Sequence, residues 1–255
     1  MKITQIVPAS TLRRCAVVIA IACAAYFILA SLHFEQLFRD DAGGIAALLQ
    51  IIGTLYSVLY AFATYVIWGQ FTAVEAEILK EAGALKDIIV FSRSLKENIR
   101  DPVVRSIRNY ARAVTETEWR ALSQGGSTEK TDRLFLQIIS EVAGLKFEDD
   151  SERPVYERLL EIANTASAHR DERLSLSLKR IPRTLLAFVM LTAIMILFLL
   201  FFYPFRSPLL GLISMAVTSM LLFFAHFVLT DLDNPFEGTW NLSPEPFNEL
   251  LSKFR

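Results

Sequence analysis

Between Asp41 and Glu75 no side chain carries a charge, and this gap constrains the chain more than any other feature. Its apolar part, from Ile45 to Trp68, is long enough to cross a hydrocarbon core of roughly 30 Å, which takes about 20 helical residues. Past Trp68 the run turns amphipathic without a proline or a turn signal. Gln70, Phe71, Val74, Ile78, Leu79 and Leu85 alternate at helical spacing with Glu75, Glu77, Lys80, Glu81 and Lys86. The expected element is one long helix that starts in lipid and ends in water. Its lipid half has two sides, because Gln50, Gly53, Thr54, Ser57, Ala61 and Thr64 recur at steps of three or four and share a face. Leu48, Ile52, Leu55, Leu59, Phe62 and Val66 fill the other.

The whole chain repeats this separation. It is 53% hydrophobic, and most of its 26 basic and 27 acidic residues fall between Glu75 and Arg183, so apolar ends flank a water-soluble middle. A formal net charge of −1 argues against nucleic acid as a partner. Four membrane spans are expected at about 15–34, 45–68, 184–203 and 209–230. The layout is then an N-terminal membrane pair (1–69), a cytoplasmic helical domain (70–183), a C-terminal membrane pair (184–230) and a cytoplasmic tail (231–255). Ala20-Ile21-Ala22 before Cys23 loosely fits a signal-processing site, but the apolar run continues past Cys23 and favours a span. Cys15 and Cys23 lie eight positions apart on one helix, too far to bridge and without metal spacing. Lys2, Arg13, Arg14, Lys179, Arg180 and Arg183 flank one side of the spans, against Arg39 and Arg206 on the other, which predicts cytoplasmic termini.

In the middle block Asp101-Pro102 fits an N-cap and first-turn proline, opening a helix with the stripe Val103, Ile107, Tyr110 and Val114. Gly125-Gly126 ends that region. Ser127 or Thr128 caps a helix burying Leu134, Phe135, Ile138, Ile139 and Val142. After an acidic break at 148–152, a third helix runs through Tyr156, Leu159, Leu160, Ala163 and Ala166 towards Leu178. In the fourth span Gly211, Ser214, Thr218 and Ala225 share a face suited to close helix approach.

Several stretches resemble the bacterial bestrophin-like family, related in pattern to the bestrophin anion channels. They are Trp68-Gly69-Gln70-Phe71 leading to Glu75-Ala76 and Glu81-Ala82, then Tyr110-Ala111 with Glu118-Trp119, Arg170 to Leu174, Leu232-Asp233-Asn234-Pro235-Phe236-Glu237-Gly238, and Ser243-Pro244-Glu245-Pro246. The resemblance implies four spans, cytoplasmic termini, a helical block between spans two and three, and a fivefold assembly whose second spans line an anion pore. The family's Trp-Asn-Gln segment matches Trp68 and Gln70. Its Asn-Pro-Phe-Gly segment matches Asn234, Pro235 and Phe236, with Gly238 one place late. The apolar neck positions land on Gln50, Thr54 and Val58, so the large hydrophobic gate is not reproduced. The family's calcium-holding acidic run is also missing, and Asp231, Asp233 and Glu237 do not make an oxygen cage.

The small polar face of the second span is either a pore wall or a packing seam between helices. The face that periodicity selects contains the neck positions Gln50 and Thr54 that the resemblance implies. Gln50, Gly53, Thr54, Ser57, Val58 and Ala61 are therefore the candidate pore lining. Arg105, Arg108 and Arg112 form a basic stripe that either attracts anions or is a solvated face. Trp68, Gln70, Glu81, Glu118, Trp119 and the segment Asp233 to Gly238 are expected to be structural, with Glu118-Trp119 and that segment fixing packing at the membrane surface. His226, within the fourth span, is a weaker sensor or proton-relay position. There is no phosphate loop, nucleophile elbow or His pair with metal spacing, and only His33, His169 and His226 in all, so no enzyme, cofactor or metal is expected. The reading is an all-α integral membrane protein of the inner membrane, a homo-oligomeric, pentameric chloride-type anion channel with the bilayer and small inorganic anions as partners. The alternative is a non-conducting scaffold or sensor whose helical domain binds a protein.

Overall fold

The computed structural model describes residues 7–32, 37–146 and 152–253. Lys2, His33, Phe34 and Glu35 and the acidic stretch 148–151 lie outside the described residues. Nine α-helices are formed among those described: α1 (Ala9–Ser31), α2 (Ala42–Ser92), α3 (Glu97–Ala113), α4 (Trp119–Ser123), α5 (Glu129–Ala143), α6 (Arg153–Leu178), α7 (Arg183–Phe202), α8 (Pro208–Leu232) and α9 (Glu245–Lys253). A π-helical turn, Val114–Glu118, joins α3 to α4. Among the described residues four helical stretches are long and apolar enough to cross a membrane: α1, α2, the stretch ending in α7, and α8. At 51 residues and about 1.5 Å per residue, α2 is ~75 Å long, far more than a bilayer's hydrocarbon needs.

The chain forms two compact units. One comprises Met1–Trp68 with Arg180–Asp233, the other Gly69–Lys179 with Asn234–Arg255, and α2 contributes to both. In the first, here the span unit, α1 packs on α8 and α7 on α8. One close approach is Gly211, buried against the ring of Tyr26; a Cβ added at Gly211 would overlap the tyrosine hydroxyl. The expected face Gly211, Ser214, Thr218 and Ala225 is thus only partly the seam. The buried residues of α8 here are Gly211, Met215 and Ser219, while Ser214, Thr218 and Ala225 are half-buried. The span half of α2 packs through Tyr56, Leu59, Tyr60, Ala63 and Ile67 against Ile181, Val189, Leu229 and Leu232. Large apolar side chains elsewhere stand open, Phe27 at 69% and Ile21 at 64%. Water would not tolerate so many; lipid tails are their natural solvent.

In the second, here the charged unit, one apolar core includes Leu85, Ile88, Ile107, Tyr110, Leu122, Ile138, Leu159 and Phe247. The helix expected to open at Pro102 starts a turn earlier, after Lys96, whose carbonyl accepts from the amides of Ile99 and Arg100 at 3.0 and 2.9 Å. Pro102 therefore lies inside α3, where its missing N–H leaves the Asn98 carbonyl without its helical donor; Asn98 is exposed, so water can serve it. Gly125, at φ +79°, reverses the chain after α4, a left-handed position that a side chain would resist.

Candidate functional site

The expected pore face of α2 is not covered by its own chain. Gln50, Thr54, Ser57, Val58 and Ala61 are exposed and Gly53 is half-buried. Nothing lies within 4 Å of where a Cβ on Gly53 would stand, so this glycine serves no close approach within the chain. The hydroxyls satisfy themselves locally: Thr54 Oγ1 donates to the Gln50 carbonyl and Ser57 Oγ to the Gly53 carbonyl, both at 2.8 Å, and Thr64 Oγ1 repeats this with Tyr60. Such bonds go to carbonyls already held in the helix, so rotation of the hydroxyl frees it to donate elsewhere. The greasy side divides differently from expectation. Leu48, Leu55 and Phe62 are exposed, and packing falls to the intervening stripe of Tyr56, Leu59, Tyr60, Ala63 and Ile67. Lipid is as apolar as leucine, so fit rather than greasiness selects the packed side.

A second polar constellation lies buried in the charged unit. Glu81 comes from α2, Tyr110 from α3, Glu118 from the π turn, Thr131 and Asp132 from α5, and Arg170 and Arg173 from α6. Arg173 Nε donates to Glu81 Oε2 at 2.5 Å and its Nη2 to Glu118 Oε1 at 2.6 Å. Arg170 reaches Glu118 Oε2 at 3.2 Å and Asp132 Oδ1 at 2.5 Å. Tyr110 donates its hydroxyl to Glu81, and Thr131 donates to Glu118. The guanidinium of Arg173 also lies over the Phe247 ring, 5.8 Å from its centroid. Burial pushes the Glu118 carboxyl up, but Arg173 and Arg170 outweigh it and hold the group below the usual carboxylate range. Burial and the neighbouring Glu81 carboxylate hold the Tyr110 phenol well above its ordinary value. Nearby, Glu77 accepts from Lys80 Nζ at 2.7 Å and lies 2.8 Å from His169 Nδ1; these bonds hold it low against burial.

The sequence marks Glu81, Glu118 and Trp119 as structural but does not name their partners. A signal for the cluster was present: Leu159, Ala163 and Ala166 set a buried stripe on α6 that Arg170, Arg173 and Ser177 continue. A charge on a core stripe demands an opposite charge on another helix. Glu118 and Trp119 belong to this interior. Trp119 Nε1 donates to the Leu242 carbonyl at 3.2 Å, and its ring meets Phe236 edge-on at 5.1 Å.

The tail motif forms a turn. Asn234 Nδ2 donates to the Ser123 carbonyl at 2.9 Å, Leu242 N to the Pro235 carbonyl at 2.7 Å, and Gly238 adopts φ +94°. Within the span unit Asp233 Oδ1 accepts from the Ile181 amide at 2.8 Å. Trp68 is about half exposed and Gln70 half-buried. Arg105 and Arg112 are exposed and Arg108 half-buried. His226 is half-buried, and its Nδ1 has no hydrogen-bond partner among the described residues.

The profile of the bestrophin-like domain matches residues 16–247. An isoleucine-to-threonine variant of a bacterial bestrophin homologue from Klebsiella pneumoniae superposes with a TM-score of 0.76 at 13% identity, covering 96% of this chain and 99% of that one. Another crystal structure of a bestrophin homologue from the same organism gives 0.71 at 14% identity, over 95% and 96%. No curated protein matches. At such identities the structural likeness speaks for the fold, and the domain profile speaks for kinship. The chain is an integral membrane protein that belongs to the bestrophin-like family.

Proposed function

We propose that the chain is one subunit of an oligomeric, fivefold anion channel of the inner membrane, with the Gln50, Gly53, Thr54, Ser57, Val58 and Ala61 face of α2 as its pore wall. The observation that carries this reading is that the face brings the polar Gln50, Thr54 and Ser57 together with small residues and is largely uncovered by its own chain. Known members of the family are anion channels. A closed ring of copies is the simplest way to turn one open polar stripe into a lumen. An amide and exchangeable hydroxyls replace part of a chloride ion's hydration without the tight hold of a fixed charge, and no carboxylate stands between Asp41 and Glu75 to favour cations. The basic residues at the span ends support a cytoplasmic side for both termini and the charged unit.

Chloride efflux from liposomes containing the purified oligomer tests the reading. Flux that depends on the protein is the expected result. Absence of flux from intact oligomer, beside a conducting bestrophin control, overturns it in favour of a non-conducting scaffold.

A further inference from the structure

Outside the buried cluster, the charged unit carries a cavity of about 450 Å³ whose lining is cationic: Arg93 just after α2, Arg100, Arg105 and Arg108 on α3, and Lys253 on α9, against the single carboxylate of Asp101. Arg100 is partly committed, 2.9 Å from Asp101 and 3.6 Å from Glu97, and Lys253 is paired with Glu249 at 2.6 Å. Arg105 and Arg108 have no ion pair or hydrogen bond among the described residues, although they stand three apart on one helix face. Like charges at that spacing destabilise a helix unless something anionic lies between them. A concave site focuses their field, and the guanidinium fork matches phosphate oxygens in pairs. The cavity is several times larger than a halide or a single phosphate, and a monovalent ion leaves most of its charge unmatched.

We infer that this cavity binds a ligand carrying two or more clustered phosphates, either a soluble polyphosphate or phospholipid headgroups. It is a retention site, independent of the pore reading: many arginines around one ligand hold it, whereas conduction needs weak and exchangeable contacts. Arg112, exposed on the same helix but outside the cavity, takes no part.

Calorimetric titration of the purified full-length chain with inorganic tripolyphosphate tests the inference, with native mass spectrometry of the chain from nanodiscs containing phosphatidic acid or only phosphatidylcholine as the second arm. Saturable tripolyphosphate binding, weakened by about tenfold or more in an Arg105→Gln, Arg108→Gln double variant, is the expected result, each lost charge-assisted contact being worth that order. Arg112→Gln keeps the affinity within about twofold, as expected for an exposed charge outside the site. Retention of phosphatidic acid that the double variant loses, without tripolyphosphate binding, assigns the ligand to headgroups. No binding in either arm overturns the inference, as does equal weakening by Arg112→Gln, which marks a general cationic surface. Unchanged circular dichroism of the double variant shows that the loss is not unfolding.

Discussion

The span half of α2 and the interior of the charged unit both concentrate polar side chains, and they satisfy them in opposite ways. On α2 the exposed Thr54 and Ser57 hydroxyls each bond a carbonyl of their own helix. In the charged unit Glu81, Glu118, Arg170 and Arg173 are almost wholly buried, and every partner that satisfies them sits on a different helical segment. Polar groups that bond across helices fix the fold, and their loss is felt as instability. Polar groups that bond within a helix leave the fold indifferent to them, so they are free for a ligand or a lumen.

The sharpest break of this contrast is Arg173→Met. It leaves Glu81 and Glu118 buried without their main counter-charge, and a cost of about 3–5 kcal/mol in denaturant unfolding is expected. An effect below about 1 kcal/mol, the level of exposed pairs, would mean that the cluster holds nothing together. Next comes Gly211→Val, which drives a branched side chain into the Tyr26 ring. About 2–3 kcal/mol of lost stability follows from overpacking, and removing the hydroxyl in a Tyr26→Phe background recovers part of it.

A milder probe uses pH. Because the folded-state pKa of Glu118 lies below its unfolded value of about 4.3, the unfolded chain takes up the proton first as pH falls. The cluster's contribution is complete above that value and is lost as pH drops through the lower folded value; Glu77 adds in the same direction. Acid titration of the melting temperature should show the loss, and Glu118→Gln should flatten it at a lower overall stability.

How legible this was in the sequence depends on what each residue faces. The four long apolar helices could be read, because a membrane imposes a length and a composition that no soluble helix needs. The open side of α2 was visible as a periodicity of small and polar residues, but periodicity alone does not separate a lumen from a seam. Gly53 and Gly211 look alike in sequence; only the position of Tyr26 distinguishes them. The start of α3 differs from the sequence expectation because Asp101-Pro102 is a valid start signal that Lys96 pre-empts about one turn earlier. The partners in the charge cluster were hidden by distance: Glu81 and Arg173 lie 92 positions apart, and nothing local on either helix names the other.

The smallest stability changes belong to the α2 face, and there they are the most informative. Thr54→Phe should alter unfolding by no more than about 0.5 kcal/mol, as for an exposed site, while blocking anion flux and leaving the oligomer intact on size-exclusion chromatography. Gly53→Ala should stabilise the helix by about 0.5 kcal/mol, since the added methyl meets nothing and the unfolded chain loses freedom. The two substitutions divide pore from seam between copies. A lumen tolerates a methyl at Gly53 with its assembly unchanged, because the methyl projects into solvent. A seam between neighbouring α2 helices does not, because the glycine would be the point of closest approach, and dissociation of the oligomer by Gly53→Ala would place this face in the same class as Gly211.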